Sequence, residues 1–387
     1  MLNESSKVAV CLSDRRMIDL VTKILVARKL VQVIQFQSVD EAFEILSRQQ
    51  VDLIVVGLEL LDHPGVTLMQ RLRETGNYGL EPFFFIGNDV DPQTLRIFLE
   101  YDVDYILTAP IDEKSLVAKV DFLLENENSV SPEIQLYRDA KSAVLSGLAE
   151  MAESFAEQLL NHGKLHVKAL LIMVDVALLR GDYDKAEQYV DEAEGKDPYS
   201  VSILNKKSHV YRCQKKMEEA KECLDILAAE NPMHLKVLER AGLTNLDLGH
   251  FDLAQQQMKN LQLLDKNNQA ATETLAHVDM EQGHFEGVSE RLRKNHTEKE
   301  VVSILNTAGV KLSKQKDFEG AISIYKDCLE VITKKEFVGK IHYNIALGYR
   351  GLVNYKLCLR HCSRALEAYP GFEKAKNLTE EIRKKME

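Results

Sequence analysis

The sequence has no apolar run near the roughly 18 residues that a membrane helix needs, so insertion into a bilayer is not expected. No basic stretch leads into an apolar core at its start, which argues against a secretion signal. The six cysteines form no Cys-x-x-Cys pair and read as reduced thiols of a cytoplasmic protein. No His-Glu-x-x-His or comparable spacing offers a metal site. Cys358, His361 and Cys362 share a helix face but have no fourth ligand, so zinc is not expected. Basic charge is in deficit, 49 Lys and Arg against 60 Asp and Glu, and the net charge of −11 argues against nucleic acid as the main partner. Proline and glycine, 8 and 19, are too sparse for a low-complexity linker. What is present is an ordinary globular composition, 45% apolar and 28% charged, over 387 residues, more than one core of usual size accommodates.

The first 125 residues alternate strand and helix patterns. Strands are expected at Val8–Leu12, Val31–Phe36, Val51–Val56, Phe83–Ile86 and Tyr105–Thr108. Helices are expected near Arg15–Lys29, Val39–Gln49, Gly65–Glu74, Pro92–Tyr101 and Asp112–Leu124. Such alternation implies a parallel sheet covered on both faces, with any reaction centre at the carboxyl ends of the strands.

The run Val51–Val56, ended by Gly57 and followed by Asp62-His63-Pro64-Gly65, resembles the third strand of a response-regulator receiver domain. The resemblance implies a flavodoxin-like, CheY-like (βα)5 doubly wound parallel sheet. It also implies a set of phosphotransfer groups, and every one of those slots is substituted here. Where two acids hold Mg²⁺ after the first strand stand Leu12 and Ser13, with Asp14 one residue late. The phosphoacceptor aspartate is Gly57, the Ser/Thr after the fourth strand is Gly87, and the Lys before Pro110 is Ala109. The landmarks Asp52, Gly65 and Pro110 remain. The domain is therefore expected to keep the receiver shape without phosphotransfer, and to dock a second protein or another copy of itself, as in a homodimer. Two alternatives stay open. Asp14, Asp62 and Asp89 allow a rebuilt metal site with a non-standard acceptor. A nucleotide in the emptied pocket is the other, although no glycine-rich phosphate loop is present. Asp102 and Asp104 read as solvated loop charges. Acids outnumber bases about 20 to 12 in this domain, a surface suited to basic partners or to solubility.

The remainder reads as helical, with an internal period. Ala186, Ala220, Ala254 and Val288 are spaced by 34 residues, as are Pro198 and Pro232. The segments starting at Gly181, Gly249 and Gly283 share Gly-x-aromatic-x-x-small, and Lys215-Lys-Met217-Glu-Glu-Ala220 holds the same register. Later copies centre on Phe318–Ala321 and on Tyr343–Pro370. Ala140, Gly147 and Ala152 fit a degenerate copy upstream. This resembles the tetratricopeptide repeat (TPR), so a right-handed TPR α-solenoid is expected to follow the (βα)5 domain. Expected segments are 1–125 for the receiver-like domain and 126–164 for a linker helix or degenerate hairpin. Repeats follow at about 167–200, 201–234, 235–268, 269–301, 302–338 and 339–370, then a capping helix at 371–387. No linker is obvious at Glu125–Glu133, and a helix running straight through is compatible with it. Tyr183, Phe251, Phe285, Phe318, Tyr343, Tyr349 and Tyr355 read as core packing.

By the resemblance, function lies on the groove formed by the first helix of each pair. The register places Asp175, Asn205, His209, Arg212, Glu239, His277, Glu281, Asn306, Lys340, Tyr343 and Arg350 there. Asn205 and Asn306 occupy one repeat slot, and an asparagine there can hydrogen-bond an extended peptide. The paired Lys and Asn that clamp a terminal carboxylate in some TPR proteins are missing. From Lys334 onward bases outnumber acids about 12 to 6, which suits an acidic partner. No nucleophile–base pair stands out, and no cofactor is implied. The expectation is a non-catalytic bacterial signalling adaptor that holds a protein or peptide in its groove.

Overall fold

The computed structural model describes residues 2–163 and 165–387; Met1 and Lys164, at the ends of expected segments, lie outside them. The chain packs as two compact units, Met1–Leu248 with Leu263–Lys266, and Gly249–Gln262 with Asn267–Glu387.

The first unit begins with five parallel strands in the order β2-β1-β3-β4-β5. They are β1 (Lys7–Cys11), β2 (Gln32–Phe36), β3 (Leu53–Gly57), β4 (Phe83–Ile86) and β5 (Tyr105–Leu107). Alternation along each strand sends neighbouring side chains to opposite faces. Ala9, Cys11, Ile54, Val56, Phe83 and Phe85 join one core, and Val8, Val10, Leu53, Val55, Phe84 and Ile86 join the other. Helices α2 (Val39–Leu46), α3 (Gly65–Glu74) and α4 (Pro92–Glu100) close the first core; α1 (Arg15–Ala27) and α5 (Glu113–Asn128) close the second. Helix starts are set by side chains. Asp14, Ser38, Asp91 and Asp112 accept backbone N–H groups of the first turns of α1, α2, α4 and α5. Each expected strand and helix of this domain is present, with ends moved by a few residues.

The junction is not a continuous helix. It breaks at Ser129, and α6 (Pro132–Leu145) restarts with Pro132 in its first turn and Ser131 as its cap. Glu127 of α5 is buried and ties the break, receiving Arg138 of α6 at 2.8 and 2.9 Å and the Tyr105 hydroxyl at 2.8 Å. Helices α7 (Ala149–His162), α8 (His166–Arg180), α9 (Tyr183–Lys196), α10 (Val201–Cys213), α11 (Met217–Glu230) and α12 (Leu235–Asp247) complete the elements of the first unit that matter below.

Helix α13 (Phe251–Leu264) follows, then α14 (Gln269–Glu281), α15 (Val288–Arg293), α16 (Glu298–Lys314), α17 (Phe318–Val331), α18 (Lys335–Gly351), α19 (Tyr355–Ala368) and α20 (Glu373–Met386). The period is physical. Ala152, Ala186, Ala220, Ala254, Val288 and Ala321 are all fully buried between helices. The residue that reverses the chain within each hairpin is left-handed: Gly147, Gly181, Lys215, Gly249 and Gly283 at 34-residue steps, then Lys316 and Val353. This is a TPR-type array of helical hairpins. One helix is stunted. Gly287 is left-handed, so α15 starts late and spans six residues. Asp327 of α17 caps it, accepting the Gly287 and Ser289 N–H groups at 2.7 Å each. The periodic aromatics pack mostly as expected, except that Tyr183 stands 38% exposed.

Candidate functional site

Two places hold the residues singled out by sequence. The first is the carboxyl edge of the sheet. Leu12, Ser13, Gly57 and Gly87 line one cavity of about 400 Å³; Ala109 is not part of that lining, though its N–H donates to the carbonyl of Asn88, which is, at 3.2 Å. The slots are not merely vacated. A Cβ on Gly57 would lie 3.1 Å from the Glu59 carbonyl and 3.4 Å from Leu12 and Leu60 side-chain carbons. A Cβ on Gly87 would lie 2.4 Å from Leu58 Cδ1. Leu58 thus occupies the space that a side chain at Gly87 would need, whereas at Gly57 the tight neighbour is the Glu59 carbonyl and the leucines stand at ordinary contact distance. The rest of the lining is acidic, with Asp14, Glu59 and Asp89 and no Lys or Arg.

Asp62 does not join Asp14 and Asp89. It sits at the start of α2, accepting Val39 N–H at 2.7 Å and Asp40 N–H at 2.9 Å. Burial pushes its carboxyl up, but the N–H groups of Asp40, Val39 and His63 outweigh this and hold it below the usual range. Asp40, Asp62 and His63 bring possible ligand atoms within 4.8 Å of one another, yet Asp40 is also bound by Arg71 at 2.7 Å.

The second place is the first-helix face of the repeats, and here the structure corrects the sequence reading. Within the first unit this face is not open to a peptide; the chain's own receiver-like domain lies on it. Asn205 is buried, donates to Glu100 Oε1 at 2.5 Å, and accepts from Arg240 at 2.6 Å. His234 Nε2 meets Glu100 Oε2 at 2.9 Å. Burial alone would raise the Glu100 carboxyl, but His234, Asn205 and Arg240 hold it below its usual range. Gln70 of α3 reads the turn before α12 in both directions, donating to the Met233 carbonyl at 3.0 Å and accepting from Leu235 N–H at 2.9 Å. Arg71 stacks on Phe43 and reaches Asp265 at 3.4 Å; Lys236 meets Glu74 at 3.0 Å. Met233 itself packs against the core under α3 and α4.

Asp102 is likewise not a solvated charge. Lys141 and Lys168 each approach it at 2.6 Å and the Tyr137 hydroxyl donates at 2.8 Å. Burial opposes the charge, but Lys141 and Lys168 overcome it and hold the carboxyl down to about 2. Asp104 is exposed, as expected.

The remaining groove residues divide between the units. Asp175 pairs with Lys206, Arg212 with Thr244 and Asp247, and Glu239 with Lys236. Burial, then the nearby Arg240, Lys206, Lys236 and Arg212, push His209 down to about 3, so its imidazole is neutral. In the second unit, Asn306 accepts from Asn344 at 2.7 Å, Glu281 pairs with Lys311, Lys340 with Glu336 and Arg350 with Glu381. Tyr343 lies edge-on to Phe372 at 5.0 Å, and His277 is exposed.

Glu100, Gln70, His234 and Arg240 were not singled out by sequence. One signal existed: Thr67, Gln70 and Arg71 lie among the apolar residues of α3, a helix buried on every side from Gly65 to Leu72, as a helix covered by a further layer must be.

Residues 8–121 match the family model of the response regulator receiver domain. The sheet order and helix placement agree, so the chain is a receiver-like α/β domain followed by TPR-type repeats, the architecture of a signalling or protein-interaction adaptor. No curated protein matches the chain. Among solved structures, MamA (41-end) from Desulfovibrio magneticus RS-1 is similar at 18% identity and TM-score 0.38, over 43% of this chain and 94% of that one. A tetratricopeptide repeat protein from Parabacteroides merdae ATCC 43184 shares 16% identity at TM-score 0.36, over 65% and 98%. The APC/C hetero-tetramer Cut9-Hcn1 shares 16% at TM-score 0.39, over 70% and 52%. Likenesses of this size add nothing to what the helices show by themselves. No helix among the described residues is long and apolar enough to cross a membrane.

Proposed function

We propose that this protein is a non-catalytic signalling adaptor. Its receiver-like domain works by docking rather than by phosphoryl transfer, and its open first-helix face, on α14, α16 and α18, binds a protein or peptide. The observation that carries the reading is the loss of the reactive side chains from the strand-end slots, with Gly57 at the acceptor position and Gly87 under Leu58. Gly57 has no side chain to carry a phosphoryl group, and Leu58 fills the space that a hydroxyl side chain at Gly87 would need. The acidic lining of the same cavity disfavours nucleotide phosphates, which is why the ligand-sensor alternative is not preferred.

Partner binding is placed on the second unit because Asn205, its counterpart in the first, is already spent on Glu100. Docking of a second protein or copy through the receiver-like domain is placed on the α1–α5 side, where Val26, Val31 and Phe122 are exposed.

The test is phosphorylation with acetyl phosphate and Mg²⁺, read by intact mass. Wild type and Gly57→Asp are both expected to remain unmodified, because an aspartate alone does not restore the metal and hydroxyl slots. Gly87→Thr is expected to lose about 1–3 kcal/mol of stability through overlap with Leu58. Stoichiometric phosphorylation of the wild-type chain would overturn the reading.

A further inference from the structure

Arg240 is half-buried, and no carboxylate pairs with its guanidinium directly. Its guanidinium donates to the Asn205 side chain at 2.6 Å and to the Asn205 carbonyl at 3.5 Å, and it makes no ion pair within 4.0 Å among the described residues. Glu100 and Glu74 feel its charge, but Glu100 is engaged by His234 and Asn205, and Glu74 by Lys236. A guanidinium cannot shed its proton, so a half-satisfied one inside a protein is an anion site in waiting.

It faces a cavity. Between the end of α4 and the first helices α8, α10 and α12, all in the first unit, lies a space of about 270 Å³. Five cationic side chains and four carboxylates line it, and each carboxylate is already held by a neighbouring group. Lys206 and Lys236 line it with Arg240; Lys206 has one carboxylate contact, Asp175, and Lys236 has two, Glu74 and Glu239, which leaves each three-donor ammonium at least one further donor. Tyr101 also borders the space. Leu171 and Ile172 supply an apolar wall. The larger cavity at the strand ends has the opposite character, carboxylates without cations.

We propose that the 270 Å³ cavity binds a small phosphate-bearing metabolite, its phosphate on Arg240, Lys206 and Lys236 and its remainder against Leu171 and Ile172. This goes beyond the adaptor reading and does not depend on it. A ligand there touches Tyr101 of the receiver-like domain and α10 and α12 of the repeats together. It therefore tightens the seat of one on the other, and the adaptor becomes responsive to a metabolite.

Calorimetric titration of the full chain with inorganic phosphate, ribose 5-phosphate and AMP tests this, each at the same ionic strength with a chloride control. At least one organic phosphate is expected to bind with Kd at or below about 1 mM and inorganic phosphate more weakly. Arg240→Gln is expected to weaken binding at least about tenfold and Lys206→Gln several-fold. Circular dichroism shows whether each variant is folded. Should Arg240→Gln fail to fold, Lys206→Gln decides, since its side chain stands 31% exposed on the cavity wall. No binding by any of the three probes, or undiminished binding in the folded variants, overturns the proposal. Equal affinity for inorganic phosphate and the two organic probes overturns its metabolite part.

Discussion

Asn205 and Asn306 hold the same slot in their repeats and live in different worlds. Asn205 is 7% exposed, sandwiched between Glu100 of the receiver-like domain and Arg240 of the next repeat. Asn306 is half-buried and touches Asn344 on the neighbouring helix. The same polar side chain on the same helix face thus serves as an internal joint in one unit and as a surface group in the other. Repeat register dictates where a side chain points, not what meets it.

The two faces must therefore differ sharply in how they respond to truncation. The largest effect is expected at Glu100. Glu100→Ala leaves the buried His234 and Asn205 without the carboxylate they share, and breaking a buried pair of this kind costs about 3–5 kcal/mol. Urea unfolding would read it. A loss under about 1 kcal/mol would mean that the joint is loose in solution.

A smaller effect sharpens the comparison through pH. Asp102 is held down to about 2, below its unfolded value, so its contribution is complete above about pH 4 and disappears as the pH falls toward 2. The lost stabilisation is about 2 kcal/mol. Urea midpoints at neutral pH and at about pH 2.5 should show wild type losing more than Asp102→Asn by roughly that amount.

The smallest stability effect belongs to the open face. Asn306→Ala is expected to stay within about 0.5 kcal/mol of wild type. Affinity capture by that variant, against wild type, should nevertheless lose a defined partner. Retention of every captured protein would remove Asn306 from the binding face.

The receiver-like sheet was legible because each of its signals is local. Alternation in Val8–Cys11 and Leu53–Gly57, caps at Asp14 and Asp91, and the glycine at position 57 are all carried within a few residues. The repeats were legible because Ala186, Ala220 and Ala254 recur at a fixed step. The joint was not. Asn205 and Glu100 are 105 residues apart, and His234 and Glu100 are 134 apart. Nothing in either segment announces the other, and Asp102 looks the same in sequence whether water or two lysines surround it. Non-local pairing of charge was the missing information, and only packing supplies it.

The reversal inside each hairpin has a separate consequence. Four of its positions at 34-residue steps are glycine, but Lys215, Lys316 and Val353 adopt the same left-handed backbone with a side chain attached. For ordinary residues that conformation costs roughly 1–2 kcal/mol, and a β-branched residue such as Val353 tolerates it worst. The bend is therefore imposed by how the helices stack and not granted by the residue that occupies it. Glycine at any of the three would relieve that backbone cost, so each is a site where a substitution raises thermostability.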